Sequence, residues 1–462
     1  MQERLSAIDP EWRLDENVAV GGALAQPIPV LGRTLPNRFA CHPMEGWDGT
    51  ADGRPTELTL RRWRNFGRSG AALVWGGEAF AVQRDGRANA RQLYLDPAVD
   101  VARSLHDLRE AVFAGAREAG DASEHPLLGL QLTHSGRFSR PDGPPAPRLG
   151  FVHPLLAQKY PYTATAPVLS DGELEAIGEN FVAASRHAQA AGFDFVDVKC
   201  CHGYLLHELL AARSRPGRYG GDLNGRLRLF ERIVAAIRVA CPGLGIGVRL
   251  SLADTVPFEP DPATGVGRPM ACALPYEHGF GVDAHQPTRF DLGEPLQFLR
   301  RLGELGIELV NATLGSPYYN PHLQRPAAYP PSDGYRPPDD PLRFVRDHLL
   351  LVRAAKAACP SLRFVGTGYT YLQEWLGHAA QHEVAAGHVD FVGLGRMLLS
   401  YPELPRDLLA GRPVQRRRVC RTFSDCTTGP RNGMVSGCFP LDPAYAAMPE
   451  AEAVRGKRGE PA

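Results

Sequence analysis

Several things are scarce or missing in this chain, and each absence excludes a class of protein. No run of 18 apolar residues occurs, so no membrane-spanning helix is expected. The opening residues, MQERLSAIDPEWRLDE, lack the apolar run of a signal peptide, which points to a cytoplasmic protein. Neither charge sign dominates: Lys plus Arg is 51 and Asp plus Glu is 51. A nucleic-acid binder is expected to carry a basic surplus, and the one compact basic run, Arg416, Arg417 and Arg418, reads as a solvated helix end. Cysteines number nine, few and odd, so in a reducing compartment they are thiols or metal ligands before they are disulfides. Charged residues at 22% and hydrophobic residues at 44% leave enough apolar mass for a core, and exclude disorder or coiled coil as the main state.

What is present is a regular alternation. Eight short apolar runs recur, at 39–44, 72–79, 127–134, 193–200, 245–251, 307–314, 363–368 and 390–396. Such near-continuous runs are what strands buried on both faces look like. Each is followed by a segment of helical spacing; Ser170, for example, suits the N-cap of a helix opening at Asp171. The pattern predicts a (β/α)₈ TIM barrel over 25–412 and a C-terminal extension over 413–462. An open doubly wound sheet is the alternative, but no GxGxxG follows the first run. Three long loops, 139–169, 252–294 and 315–341, follow strands on the side where a barrel keeps its active site, and are expected to be lids or rims.

The strand ends converge on one mouth, so the residues there carry the chemistry. They include Pro43, Met44, Glu45, Glu78, Ala79, Gln131, Lys199, His202, Tyr204, Arg249, Gly368, Gly395 and Arg396. An amide, a lysine, a histidine, a tyrosine and two arginines suit an electron-rich planar ligand bearing a phosphate. The last two strands end in GTG and GLGR, where glycine lets backbone N–H groups approach phosphate and Arg396 adds a charge-assisted bond.

The ordered motifs NRFACHPM, EAFAVQRDGR, LQLTHSGR, AGFDFVDVKCCHGYLLHELL, YGGDLNGR, VRLS and FVGLGRMLLSYPELP resemble the Old Yellow Enzyme family of FMN-dependent ene-reductases, over roughly 25–410. The family is related to the barrel domain of 2,4-dienoyl-CoA reductase. The resemblance implies bound FMN, NADH or NADPH as electron donor, and a small-molecule substrate with an activated C=C bond. It implies that Pro43, Met44 and Ala79 hold the isoalloxazine through backbone groups, that Gln131 meets its pyrimidine edge, and that Arg249 lies near N1 and O2. Gly368, Gly395 and Arg396 would bind the phosphate. His202 and Lys199 would be the two donors on the substrate carbonyl, and Tyr204 the acid that protonates its α-carbon after hydride arrives from flavin N5.

Two departures stand out. Lys199 replaces the usual histidine; an ammonium is a mobile point charge and favours a more anionic acceptor, or else it pairs with a carboxylate such as Glu45. The longer relatives carry a four-cysteine iron–sulfur motif, whereas CRTFSDCTTGPRNGMVSGC supplies Cys420, Cys426 and Cys438, with Phe423 in place of a fourth. An iron–sulfur cluster is therefore not expected, and no metal site is expected at Cys200, Cys201 and His202, because adjacent strand residues face opposite sides. His125, His187 and His207 are read as surface or packed residues. Two other readings remain: a Schiff-base aldolase-type lyase acting through Lys199, and a dehydrogenase or demethylase of the same family. No nucleic-acid or membrane partner is implied, and a homo-oligomer is compatible with the chain.

Overall fold

In a computed structural model, residues 1–77, 79–120 and 125–458 are described. Their parallel strands close into a barrel of eight staves. These are β1 (Phe39–Cys41), the interrupted pair β2 (Leu73–Val74) and β3 (Ala79–Ala81), β4 (Leu127–Thr133), β5 (Phe195–Val198), β6 (Gly245–Ser251), β7 (Leu309–Thr313), β8 (Arg363–Gly366) and β9 (Phe391–Leu394). Each pairs in parallel with the next, and β9 returns to β1, so no edge is left open. The run 72–79 was expected as one strand. It breaks at Gly76 and Gly77, both at positive φ, and a Cβ on Gly77 would lie 2.8 Å from the Trp63 ring.

Helices α1 (Glu57–Arg68), α2 (Val101–Glu118), α3 (Asp171–Ala190), α4 (Leu223–Ala240), α5 (Gly293–Glu304), α6 (Pro341–Ala358) and α7 (Leu376–Ala385) follow successive staves. Ser170 caps α3 and forms a capping box with Glu173, as its position before an amphipathic run predicts. Strand residues alternate between the helix layer and the barrel interior. On β5, Val196, Val198 and Cys200 pack outward with the helices. Phe195, Asp197 and then Lys199 point inward at successive heights, by the period of two.

The interior has a plugged base. A hairpin, Ile28–Val30 against Arg33–Leu35, places Ile28, Val30 and Leu35 among Trp75, Leu127, Phe195, Leu309 and Phe391. Trp75 and Phe195 meet edge to face at 5.3 Å between centroids. Gly129 makes room for this layer, since a Cβ there would sit 2.2 Å from Phe195. Fixed packing below thus defines the floor of the mouth above. Among the described residues, no helix is long and apolar enough to cross a membrane.

Of the three long loops, only 315–341 lines the cavity at the mouth, through Pro317, Tyr318, Gln324, Arg325 and Pro326. The others buttress it: Tyr160 donates to the Tyr318 carbonyl at 2.6 Å, and Asp254 accepts from the Tyr319 hydroxyl at 2.7 Å. The segment after the barrel folds back over the same end. Its helix Asp425–Arg431 brings Cys426, Thr427, Pro430 and Arg431 to the cavity, and Ser436 accepts from the Trp47 N–H at 3.0 Å. Arg416 and Arg418 do not form a helix end; they lie in a turn and pair with Glu374 and Glu403.

Candidate active site

The floor of the cavity is organised by one carboxylate. Asp197, fully buried, accepts from Trp75 Nε1 at 2.7 Å, from Gln131 Nε2 at 2.6 Å and from the Arg249 N–H at 2.7 Å. Burial pushes its pKa up, opposed by these donors and by the Arg249 charge. With its amide N–H held by Asp197, Gln131 is fixed in one orientation. Arg249 Nη1 donates to the Pro43 carbonyl at 3.1 Å, which ties the end of β1 to the floor. Arg62 secures the same turn from behind: it forks onto Asp48 at 2.9 and 3.1 Å and donates to the Met44 and Gly77 carbonyls.

A second polar chain lies beside it. The Thr367 hydroxyl donates to the Ala312 carbonyl at 2.7 Å, so it must accept from His42 Nε2 at 3.2 Å. That leaves His42 Nδ1 to accept from Asn311 Nδ2 at 3.1 Å. Burial, with Arg249 and His348 nearby, holds this imidazole well below its usual pKa, hence neutral. Gly393 permits the arrangement, because a Cβ there would lie 2.1 Å from the His42 ring.

Two buried guanidiniums define one end of the cavity. Arg396 donates through Nη2 to the Pro326 carbonyl at 2.8 Å, and Arg325 donates through Nη1 to Thr427 Oγ1. Burial lowers the pKa of both; the Arg396 charge lowers Arg325 further, to about 10, while Cys420 and Cys426 oppose the shift at Arg396. Among the described residues neither meets a carboxylate. Arg325 Nη2, Arg396 Nη1 and, at the other end, Arg249 Nε are buried and have no partner among the described residues. Buried donors left in this state call for an acceptor. This set fits an elongated ligand with a phosphate between Arg325 and Arg396 and an electron-rich ring edge at Arg249. FMN has both.

The opposite wall is less tied down. Lys199, 4% exposed, has no hydrogen-bond or ion-pair partner among the described residues; its ammonium lies 3.9 Å from the Tyr204 ring centroid. Burial pushes its pKa below the usual lysine range, with Cys201, Glu45 and Asp197 opposing. The alternative of a Lys199–Glu45 ion pair is not what forms. Glu45 Oε2 instead accepts from the Tyr204 hydroxyl at 2.5 Å, and Tyr318 OH lies 3.0 Å from that hydroxyl. His202, at φ 67°, is held through its backbone by Ser251 and Ser316, and its Nε2 lies 3.2 Å from Gln324 Nε2. Burial and the cations Arg249 and Lys199 keep its pKa well below the usual range.

Pro43, Met44, Gln131, Lys199, His202, Tyr204, Arg249, Gly368, Gly395 and Arg396 all line this one cavity. Ala79 does not: it sits on β3 opposite Gln131, and its carbonyl is taken by Gln92 Nε2 at 2.7 Å. Glu78 lies outside the described residues. Sequence reasoning missed Asp197, His42, Arg325, Arg431 and Ser436. Asp197 alone had a signal, being two residues before Lys199 on the same strand face.

Cys420, Cys426 and Cys438 gather around a small cavity beside Arg396. The place of the missing cysteine is filled by Phe423, covered by the Arg458 guanidinium at 4.1 Å and by Tyr329 at 5.4 Å. Among the described residues, no three His, Cys, Asp or Glu side chains are grouped to hold a metal ion. His207 is a packed residue, its Nδ1 accepting from the Gly203 N–H at 2.8 Å.

A closed parallel barrel here carries one cavity with two arginines at one end, an ordered floor and a wall of Lys199, His202 and Tyr204. The family described as NADH:flavin oxidoreductase / NADH oxidase matches residues 23–263, and the chain belongs to it. An NADPH dehydrogenase of Geobacillus thermodenitrificans is 26% identical over 396 residues, 83% of this chain and 92% of its own length. Another, of Geobacillus sp. strain WCH70, is 30% identical over 247 residues, 51% of this chain and 64% of its own length. Among solved structures, a 2-naphthoyl-CoA reductase complexed with 2-naphthoyl-CoA superposes with TM-score 0.67 at 17% identity, over 92% of this chain and 57% of that protein. Morphinone reductase gives 0.55 at 20% identity, over 85% of this chain and 91% of that protein. These structural likenesses establish the fold.

Proposed function

We propose that the protein is an FMN-dependent oxidoreductase that uses reduced nicotinamide to reduce the activated C=C bond of an α,β-unsaturated carbonyl compound. The observation that carries this reading is the meeting, in one cavity, of unpartnered donors on Arg249, Arg325 and Arg396 with the Lys199–His202–Tyr204 wall. Arg325 and Arg396, with the backbone around Gly368 and Gly395, would hold the FMN phosphate. Pro43, Met44, Gln131 and Arg249 would hold the ring. Bound FMN supplies hydride chemistry that no side chain can provide.

The chain's own residues do the rest. Arg249 sets a cation where reduction of the ring would place negative charge, with little reorganisation because the Pro43 carbonyl already holds its guanidinium and Asp197 its backbone N–H. His202 and Lys199 offer donors to the substrate's carbonyl oxygen, stabilising the charge that collects there as the C=C bond is reduced. Tyr204 delivers the proton to the α-carbon. The unpaired ammonium of Lys199 favours substrates whose acceptor oxygen is already anionic, such as α,β-unsaturated carboxylates. An open mouth serving both nicotinamide and acceptor in turn gives ping-pong kinetics.

The test is direct. Protein reconstituted with FMN is expected to bleach anaerobically with NADH or NADPH and to regain colour with an enone. Protein that takes up no FMN overturns the reading. A buried, unpaired lysine near two phosphate-directed arginines also suits a Schiff-base lyase. Borohydride trapping of substrate on Lys199, without redox turnover, would favour that reading instead.

A further inference from the structure

We infer that Glu45 is the proton carrier for Tyr204, and that its protonation state sets the direction in which this wall moves a proton. The inference rests on the reading of Tyr204 as the acid of the reaction. Tyr204 is 3% exposed, and two groups meet its hydroxyl: Glu45 Oε2 at 2.5 Å and Tyr318 OH at 3.0 Å. A buried acid that gives up its proton must be refilled before it can act again. Tyr318 is a poor source, because burial and the Glu45 charge push its phenol pKa upward. Glu45 is half-buried rather than sealed, its other oxygen lying 3.4 Å from Asn89 Nδ2, so it joins the phenol to the rim.

A hydroxyl has one proton, and this decides the logic. When Glu45 is ionised, the Tyr204 proton lies on the line to Oε2, and the phenol oxygen faces the cavity as an acceptor. When Glu45 is protonated, the carboxyl donates to Tyr204 and frees the phenol proton for carbon. In reduction, hydride adds to the β-carbon, the π electrons move toward the carbonyl oxygen, and the Tyr204 proton goes to the α-carbon. The Glu45 proton then passes to the phenolate, and Glu45 takes a proton from solvent. One hydride, drawn ultimately from reduced nicotinamide, and one proton have been added across the double bond. In the reverse sense, the β-carbon would give its hydride to oxidised FMN while a proton leaves the α-carbon for Tyr204 and the phenol proton passes to ionised Glu45. The charged and titratable groups facing Glu45 are Tyr204, Tyr318 and Lys199, with Arg431 beyond Tyr318 at 4.7 Å from its ring.

The experiment follows reoxidation of the reduced holoenzyme by 2-cyclohexen-1-one in stopped flow, across about pH 5 to 9. The wild-type rate is expected to fall with rising pH along a limb that Glu45→Gln abolishes. Glu45→Gln should be slower by roughly 10²-fold at low pH and flat with pH, and Glu45→Asp should restore the pH-dependent limb. A second arm uses flavin-free protein: the infrared carboxyl band lost in Glu45→Gln should shift in Tyr204→Phe. Identical pH profiles in wild type and Glu45→Gln overturn the inference, and so does a Glu45 band indifferent to Tyr204→Phe. A protein that binds no flavin overturns the functional reading alone, and the infrared arm still decides the proton pair.

Discussion

The floor and the wall of the mouth are built from neighbouring strands but by opposite rules. On the floor, one carboxylate, Asp197, satisfies three donors, Arg249 is tied to Pro43, and a Trp75–Phe195 layer supports them from below. On the wall, Lys199 has no hydrogen-bond or ion-pair partner among the described residues, and the Tyr204 hydroxyl meets Glu45 and Tyr318. A group fixed on every side suits a resident ligand that must meet the same geometry at every turnover. A group with free valence suits a ligand that comes and goes. Two residues apart on β5, Asp197 and Lys199 fall on either side of this divide.

The sharpest way to break the comparison is Asp197→Ala. It leaves three buried donors unpaired, and is expected to cost about 3–5 kcal/mol in the urea unfolding midpoint, with loss of bound FMN. An Asp197→Ala protein of wild-type stability would mean that the floor is not organised by this carboxylate. At the phosphate end, Arg396→Ala removes a buried charged donor; FMN affinity, read by flavin fluorescence, should fall roughly 10²-fold, about 3 kcal/mol. Retention of tight binding would move the phosphate elsewhere.

How much of this was legible in the sequence follows the same divide. Eight buried runs gave the barrel, and the local motif around 199–204 gave the wall, because both are properties of contiguous residues. Asp197 was within reach of the period of two but carries no motif of its own. Arg325 comes from a long loop without periodicity, and Arg431 and Ser436 from the far end of the chain, so only tertiary structure brings them in. Ala79 falls outside the cavity lining: a break at Gly76 and Gly77 divides what reads as one strand, and the side chain of Gln92 takes its carbonyl.

On the wall, Lys199→Met removes a buried charge that has no ion-pair partner among the described residues. Stability in urea should therefore hold, in contrast to Asp197→Ala. What should change is selectivity: the preference for cinnamate over methyl cinnamate, as a ratio of kcat/KM, is expected to drop roughly 10- to 30-fold, about 1.5–2 kcal/mol. An unchanged ratio would remove Lys199 from substrate recognition, and a large stability loss would make it part of the scaffold.

The smallest effect concerns what anchors the wall's loop. Asp254 accepts from Tyr319 OH at 2.7 Å and from Asn320 Nδ2 at 3.4 Å, fixing the start of the segment that carries Tyr318 and Arg325. Burial raises its pKa to about 7, so the folded chain keeps a proton that the unfolded chain loses near pH 4. Between those values its contribution to stability falls as pH rises. Buried histidines act in the other sense: burial lowers His207 and His322 to about 3 and His348 to about 4. The folded chain refuses protons that the unfolded chain accepts below about pH 6.5, so stability is lost as pH falls from there. Asp197, Glu208 and Asp347 are raised as Asp254 is, and His42, His153, His202 and His278 are lowered as those three are, so histidines outnumber carboxyls and stability should climb from pH 4.5 to 6. Asp254→Asn removes one opposing proton and should steepen that climb by about 1.4 kcal/mol per pH unit in urea titrations. A slope unchanged by Asp254→Asn would show that this carboxyl titrates normally, and that the wall's loop is anchored by ordinary hydrogen bonds to an ionised group.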